Sequence, residues 1–95
     1  MSNIYDTIAL KIIREQELLI GPVAWLEAKK VHGLVILDRE KGIVSIEEKD
    51  GISVINALVE RFGGLFGRAA KEVCKEAVGS LLADLEPSRI PASLK

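Results

Sequence analysis

Only two short stretches of this sequence, residues 34–37 and 43–47, have the composition of β-strands, and this limits the sheet that the chain can form. They read Leu-Val-Ile-Leu and Ile-Val-Ser-Ile-Glu, with a polar loop between them that ends in Gly42. Such a pair predicts a hairpin. Because a two-stranded sheet alone is marginal in water, we expect either that helices cover it or that its edge pairs with a second copy. The second arrangement predicts a homodimer with a continuous four-stranded sheet.

The two predicted strands differ in how they should be buried. The first is apolar throughout, so we expect it to be covered on both faces. The second mixes polar and apolar residues, so one of its faces should meet solvent.

The rest of the chain carries apolar residues at helical spacing. Residues 3–19 predict a first helix, with Leu19 on its apolar face, Asn3 as its cap and Asp6 at the capping-box position. We therefore predict an α+β fold in the order ααββαα, four helices with a central two-stranded antiparallel hairpin. The further helices are expected at 22–31, 52–62 and 65–85, within one compact domain of residues 1–86 followed by an irregular, proline-containing tail, 87–95.

Composition argues against several classes of function. The 95 residues carry 13 basic and 14 acidic side chains, a net charge of −1, without a basic segment. The charge therefore argues against a nucleic-acid partner. The single cysteine excludes an intrachain disulfide, and no apolar run reaches the roughly 18 residues that a membrane helix needs. We expect a cytoplasmic protein without a membrane span and without a cofactor.

The glycine-rich segment Gly63-Gly64-Leu65-Phe66-Gly67 is the most unusual part of the sequence. We expect a corner between two helices, in which Gly63 or Gly64 is the left-handed residue that ends the third helix and Gly67 allows close backbone packing. The alternatives are a phosphate site, a GXXG loop as in KH modules, or an exposed Leu65–Phe66 docking knob. P-loop and dinucleotide spacings are absent. Weak anion-site candidates are Gly67, Arg68 and Lys71.

A segment with a similar sequence occurs earlier in the chain. LIGPVAWLEAKKV (19–31) and RFGGLFGRAAKEV (61–73) align at Gly21 and Gly63, and both end in Ala-Lys-x-Val. The match suggests two related helix–glycine–helix units, one on each side of the hairpin.

No residue pattern predicts catalysis or metal binding. His32, next to Gly33, is interpreted as the C-terminal cap of the second helix. Cys74 is interpreted as a packing residue at the margin of the last helix's apolar face. The acidic run around Glu47 and Asp50 is interpreted as a solvated strand edge. We therefore expect a protein that is not an enzyme.

The sequence favours a non-enzymatic protein–protein interaction module, regulatory or scaffolding, that acts as a homodimer with an unknown further protein partner. A winged-helix-like nucleic-acid-binding regulator is one alternative, with Arg39 and Lys41 at the wing tip. A small-molecule-sensing regulatory domain is another, since GLVILDREKGIVSI (33–46) resembles hairpins of roadblock-type signalling modules, although the chain lacks strands for their five-stranded sheet. The interface candidates are Trp25, Ile43, Ile46, Leu65, Phe66, Ile90 and Leu94.

Overall fold

A capping box begins the first helix and also holds the hairpin. The computed structural model describes residues 3–95, and α1 spans Ile4–Ile20, close to the predicted range. The Asn3 side chain accepts from the backbone N–H groups of Tyr5 and Asp6, while Asp6 Oδ2 accepts from the Asn3 N–H at 3.0 Å. The other Asp6 oxygen accepts from the Ile46 N–H at 2.8 Å, and Asn3 Nδ2 donates to the Ile46 carbonyl at 2.9 Å. One cap therefore fixes both the helix start and the end of the second strand.

The second helix, α2, spans Val23–Lys29 and is shorter than predicted. Its C-cap is Lys30, so the interpretation of His32 as the cap was wrong. Gly33 has a positive φ of 92° and lies in the turn that leads into the hairpin. Leu19, expected on the buried face of α1, is 60% exposed because the core-facing positions end at Gln16.

The predicted hairpin is present, as an antiparallel pair of β1 (Val35–Asp38) and β2 (Ile43–Ser45). Val35 pairs with Ser45 and Ile36 with Val44, and an irregularity follows Ile36. Val44 is buried between two exposed residues, as expected for a strand with one wet face. The expectation that β1 is covered on both faces was wrong, because helices pack on only one side of the ribbon and leave the other open.

The glycine-rich segment turns at Gly67, three residues after Gly64 and four after Gly63, the two predicted left-handed positions. Helix α3 spans Gly51–Phe66 and runs through Gly63 and Gly64, and α4 spans Arg68–Leu82. The left-handed residue is Gly67, with φ 89°, and its N–H donates to the Gly63 carbonyl at 2.9 Å. No described atom outside its immediate chain neighbours lies within 4 Å of a Cβ built on Gly67, so its role is backbone conformation and not close packing.

Two helix–glycine–helix units are present, in a register that differs from the sequence alignment. Gly21 (φ 76°, ψ −161°) joins α1 to α2 in nearly the conformation with which Gly67 (φ 89°, ψ −175°) joins α3 to α4. In each unit the glycine N–H donates to the carbonyl four residues back, and its carbonyl accepts from the N–H three residues on. The order of buried, intermediate and exposed residues is identical in 7–19 and 53–65. Gly21 therefore corresponds to Gly67, and the pairing with Gly63 was wrong.

The core lies between the two units. Apart from Trp25, the shorter helices α2 and α4 bury only small side chains, whereas α1 and α3 bury mainly large ones. Small side chains allow the helices to approach closely. The C-terminal residues close one side: instead of an irregular tail they form two single-turn 3₁₀ helices, Pro87–Arg89 and Ala92–Leu94. The large fully buried side chains of α1 and α3 are Ile8, Ile12, Ile13, Gln16, Ile55, Leu58, Val59 and Phe62.

Candidate interaction surface

The residues with reactive side chains do not come together. His32 is exposed and lies in a shallow cleft of about 220 Å³ with Asp50 and Ser53. Cys74 is fully buried at the centre of the α4 face, not at its margin as expected. Glu48 of the acidic run pairs with Arg89 at 3.5 Å. Within residues 3–95, no group of three or more His, Cys, Asp or Glu side chains is placed to hold a metal ion.

The most distinctive surface is the outer side of the hairpin. We call Val35, Leu37 and Ile43 the ribbon face; their side chains are 51%, 63% and 44% exposed. The opposite side of the ribbon carries the buried Val44 and the partly buried Ile36. This alternation places the helices against one face and leaves three apolar side chains on the other.

A groove continues this surface towards α2. It has a volume of about 550 Å³ and lies between Leu26 of α2 and Val35 of β1. Its floor includes Trp25, which is only 4% exposed. The Arg39 guanidinium lies 5.8 Å from the Trp25 ring centroid and 3.6 Å from a Glu17 carboxylate oxygen. Leu26 is 58% exposed, so the groove and the ribbon face form one largely apolar area.

An ion pair fixes α2, which forms one wall of this groove, to α3. Arg61 Nε and Nη2 both donate to Glu27 Oε1, at 2.9 and 2.6 Å. The hydrogen bond from Arg61 lowers the pKa of Glu27, and Lys30 at 3.3 Å contributes in the same direction. The groove wall is therefore held by a short, charge-assisted contact.

The structure separates the predicted interface residues into exposed, partly buried and buried ones. Ile43, Leu65 and Phe66 are exposed. Ile90 is partly buried, and three others are core residues. The exposed residues Leu18, Leu26, Val35 and Leu37 were missed, because an apolar side chain at the right spacing is assigned to the core unless tertiary contacts are known. The predicted interface residues that are buried are Trp25 (4% exposed), Ile46 (3%) and Leu94 (5%).

The weak anion-site candidates lie at the first turn of α4, outside the hairpin and the lining of the groove. Arg68 and Lys71 line one cleft together, whereas Gly67 does not contribute to its lining. Nearby, at the end of α3, Leu65 is 53% exposed, and the ring of Phe66 lies 6.4 Å from that of Phe62.

Comparison with known proteins identifies no relative: no family model, no curated protein and no solved structure matches this chain. In the part of the chain that the structure describes, no helix has both the length and the apolar character required to cross a membrane.

Proposed function

We propose that this protein is a non-enzymatic protein–protein interaction module that acts as a homodimer through β1. The observation that supports it best is the ribbon face, three exposed apolar side chains on a sheet of only two strands. Exposed apolar strands with unpaired edges are uncommon in stable monomers, because they invite pairing with another chain.

A second copy fits this surface because it satisfies the backbone and the side chains at once. An antiparallel contact between two β1 strands, centred on Ile36, creates a four-stranded sheet about a two-fold axis. It places Val35 opposite the partner's Leu37 on the same face, a cross-strand apolar pair. Sheets of three or more strands with an apolar face are stable where two strands alone are not.

A standard dimer interface would occupy a limited part of the surface of this chain. A standard interface buries about 800 Å² on each partner, about one seventh of the 5612 Å² surface of this chain. The ribbon face and the adjoining exposed Leu26 supply an apolar centre for such an interface, and Lys29 and Arg39 at the groove supply a polar rim.

A nucleic-acid-binding function has less support. The guanidinium of Arg39 turns back to Trp25 and Glu17 instead of projecting from the hairpin tip. Only two helices precede the hairpin, whereas winged-helix domains place three before the wing. Lys41 alone provides little of the phosphate neutralisation on which such binding depends.

The test is the molar mass in solution, by light scattering, of the natural chain and of two variants. The natural chain should have twice its monomer mass of 10.4 kDa. Leu37→Lys should have the monomer mass, because it places a charge in the centre of the apolar contact. The matched control is Leu65→Lys, at a similarly exposed leucine away from the hairpin, which should remain dimeric. A monomeric natural chain at submillimolar concentration, or a dimeric Leu37→Lys variant, refutes the proposal.

A further inference from the structure

A second cleft lies among residues that the proposed dimer does not use. It has a volume of about 640 Å³ and is bounded by α3, α4 and the last 3₁₀ turn. This volume is within the range of pockets that hold small organic ligands. Its lining is mainly polar and charged, in contrast to the apolar groove beside Trp25.

The cleft concentrates positive charge in a chain whose acidic residues slightly outnumber its basic ones. Its lining includes four basic residues, Arg68, Lys71, Lys75 and Lys95, and two acidic residues, Glu60 and Glu72. The chain as a whole has a net charge of −1, so this excess arises from the fold and not from composition. An anion in the cleft is therefore favoured over a cation.

The ion pairs within the cleft leave most of this charge available. Lys71 lies 3.1 Å from Glu60, and Lys75 lies 3.8 Å from Glu72, with all four side chains more than a third exposed. Exposed pairs of this kind contribute little, and each ammonium retains further donors for a ligand. Among residues 3–95, Arg68 makes no ion pair within 4.0 Å; it opens α4, where the helix dipole adds positive potential.

Lys71 is positioned by a glycine that is otherwise unfavourable in a helix. A Cβ at Gly63 would lie 2.5 Å from Lys71 Cγ and 2.8 Å from Cδ. The aliphatic stem of Lys71 therefore crosses α3 where the side chain is missing, and its ammonium reaches Glu60 in the cleft. Glycine inside a helix lowers stability by about 1 kcal/mol relative to alanine. Here the space that Gly63 leaves lets the Lys71 ammonium reach the cleft.

Asn56 adds a neutral hydrogen-bond donor with a defined orientation. Its Oδ1 accepts from the Ser93 N–H at 3.0 Å and from the Ser93 hydroxyl at 2.6 Å. Because the backbone N–H can only donate, the amide oxygen must face Ser93, and the Asn56 NH₂ group is turned away from it. Within the described residues this NH₂ group has no protein acceptor, and Asn56 lines the cleft.

We infer that this cleft binds a small organic polyphosphate of nucleotide size. Arg68, Lys71 and Lys95 contact the phosphate groups, and the Asn56 NH₂ donates to a ligand oxygen. Charge-assisted contacts of this kind are among the strongest hydrogen bonds in proteins. The site is distinct from the ribbon face, so the binding is also expected in the Leu37→Lys variant.

The probes are ADP and inorganic pyrophosphate, titrated into the ¹⁵N-labelled full chain at about 50 mM salt, where surface electrostatics are weakly screened. Both should shift the amide signals of Arg68, Lys71 and Ser93, because phosphate charge is what the cleft recognises. Asn56→Asp keeps the oxygen that accepts from Ser93 but replaces the donor with negative charge. It should weaken ADP binding at least about tenfold, as should Arg68→Ala, the change expected from one charge-assisted contact.

Lys11→Ala is the matched control, since Lys11 is an exposed cation on α1 that does not line the cleft, and it should leave ADP affinity unchanged. The inference is overturned if millimolar ADP leaves the cleft amides unmoved, or if only ADP and not pyrophosphate moves them. It is also overturned if Lys11→Ala weakens binding as much as Arg68→Ala, which would indicate non-specific attraction.

Discussion

Gln16 and Cys74 meet at the contact between α1 and α4, and both side chains are fully buried. Gln16 Nε2 donates to the Ala70 carbonyl at 2.8 Å and to Cys74 Sγ at 3.3 Å. Burial raises the pKa of the Cys74 thiol from its ordinary value of 9.0 to about 11, and the hydrogen bond from Gln16 opposes this only in part. The thiol is therefore neutral near pH 7 and fills space rather than acting as a nucleophile.

This raised pKa predicts a loss of stability in alkaline solution. Between pH 9.0 and about 11 the unfolded chain loses the Cys74 proton while the folded chain keeps it. The unfolded state then binds fewer protons, so the free energy of unfolding should fall as pH rises through this window, by about 1–3 kcal/mol. Urea unfolding across the window measures the slope.

Cys74→Ala provides the comparison, because the other groups that titrate there are common to both proteins. The variant should have lower stability throughout, from the cavity that it leaves, but a flatter dependence on pH. Equal slopes for the two proteins would contradict the assigned pKa.

The roles of individual polar residues could be predicted only where they are local. The contact between Asn3 and Asp6 spans three residues, and the capping-box pattern identifies it from sequence. The second contact of Asp6, to the Ile46 N–H, joins residues 40 positions apart and leaves no pattern. The burial of Gln16 could not be predicted from the sequence either, because it depends on where α4 packs.

At the scale of the elements, the three glycines between Phe62 and Arg68 have three different roles. Gly67 adopts a positive φ and forms the corner, Gly63 accommodates the stem of Lys71, and Gly64 is exposed with no described atom near a Cβ built on it. Low helix propensity predicts that α3 ends at the first glycine, but intact helical hydrogen bonding carries α3 to Phe66.

A series of glycine-to-alanine variants should separate these roles. Gly64→Ala should stabilise the protein by about 0.5–1 kcal/mol, because alanine favours the helix and meets no obstacle. Gly67→Ala should destabilise it by about 1–2 kcal/mol, because a side chain is strained at positive φ. Gly63→Ala should gain less than Gly64→Ala, since Lys71 must move, and adding Lys71→Ala should restore the gain. Chemical denaturation measures each value, and an equal gain at Gly63 and Gly64 would disprove the assigned contact.

The hairpin, too, could be predicted from the sequence only in part. Its existence follows from two β-branched runs and a loop ending in glycine, whereas its register, with the irregularity after Ile36, was not predicted. The face that the helices cover cannot be predicted from the sequence, because Val35, Ile36 and Leu37 are all apolar. Only the position of the helices distinguishes them. The candidate surface was therefore predicted in part, through Ile43, and its largest exposed member on the hairpin, Leu37, was missed.

At the scale of the whole molecule, the two helix–glycine–helix units show how similar geometry is built from different residues. Gln16 of the first unit corresponds to Phe62 of the second, and both are fully buried. The two units share few side chains at corresponding positions. For this reason the sequence match pairs Gly21 with Gly63, whereas the structure pairs it with Gly67. The physical features that the two units share are the pattern of buried positions and the backbone conformation of Gly21 and Gly67.

The C-terminal residues complete the core that these units leave open on one side. Leu94 is 5% exposed, and Pro91 is among the fully buried side chains. The Tyr5 hydroxyl donates to the Arg89 carbonyl at 2.9 Å, which ties this segment to the start of α1. Ser93 is bonded to Asn56 of α3. We therefore expect residues 87–95 to unfold with the rest of the molecule and not to be free for docking.

Leu94→Ala and Leu65→Ala make the same chemical change at a buried and at an exposed leucine, and their comparison tests this expectation. Leu94→Ala should lower the free energy of unfolding by about 2–4 kcal/mol, because it removes buried methyl groups and leaves a cavity against α3. Leu65→Ala, at a side chain that is 53% exposed, should change it by no more than about 0.5 kcal/mol. Urea denaturation followed by circular dichroism measures both. Similar small effects would mean that the C-terminal turns contribute nothing to the core. Under the fold described here, Leu94→Ala should also shift the amide signals of α3 around Asn56, because the last turn carries Ser93.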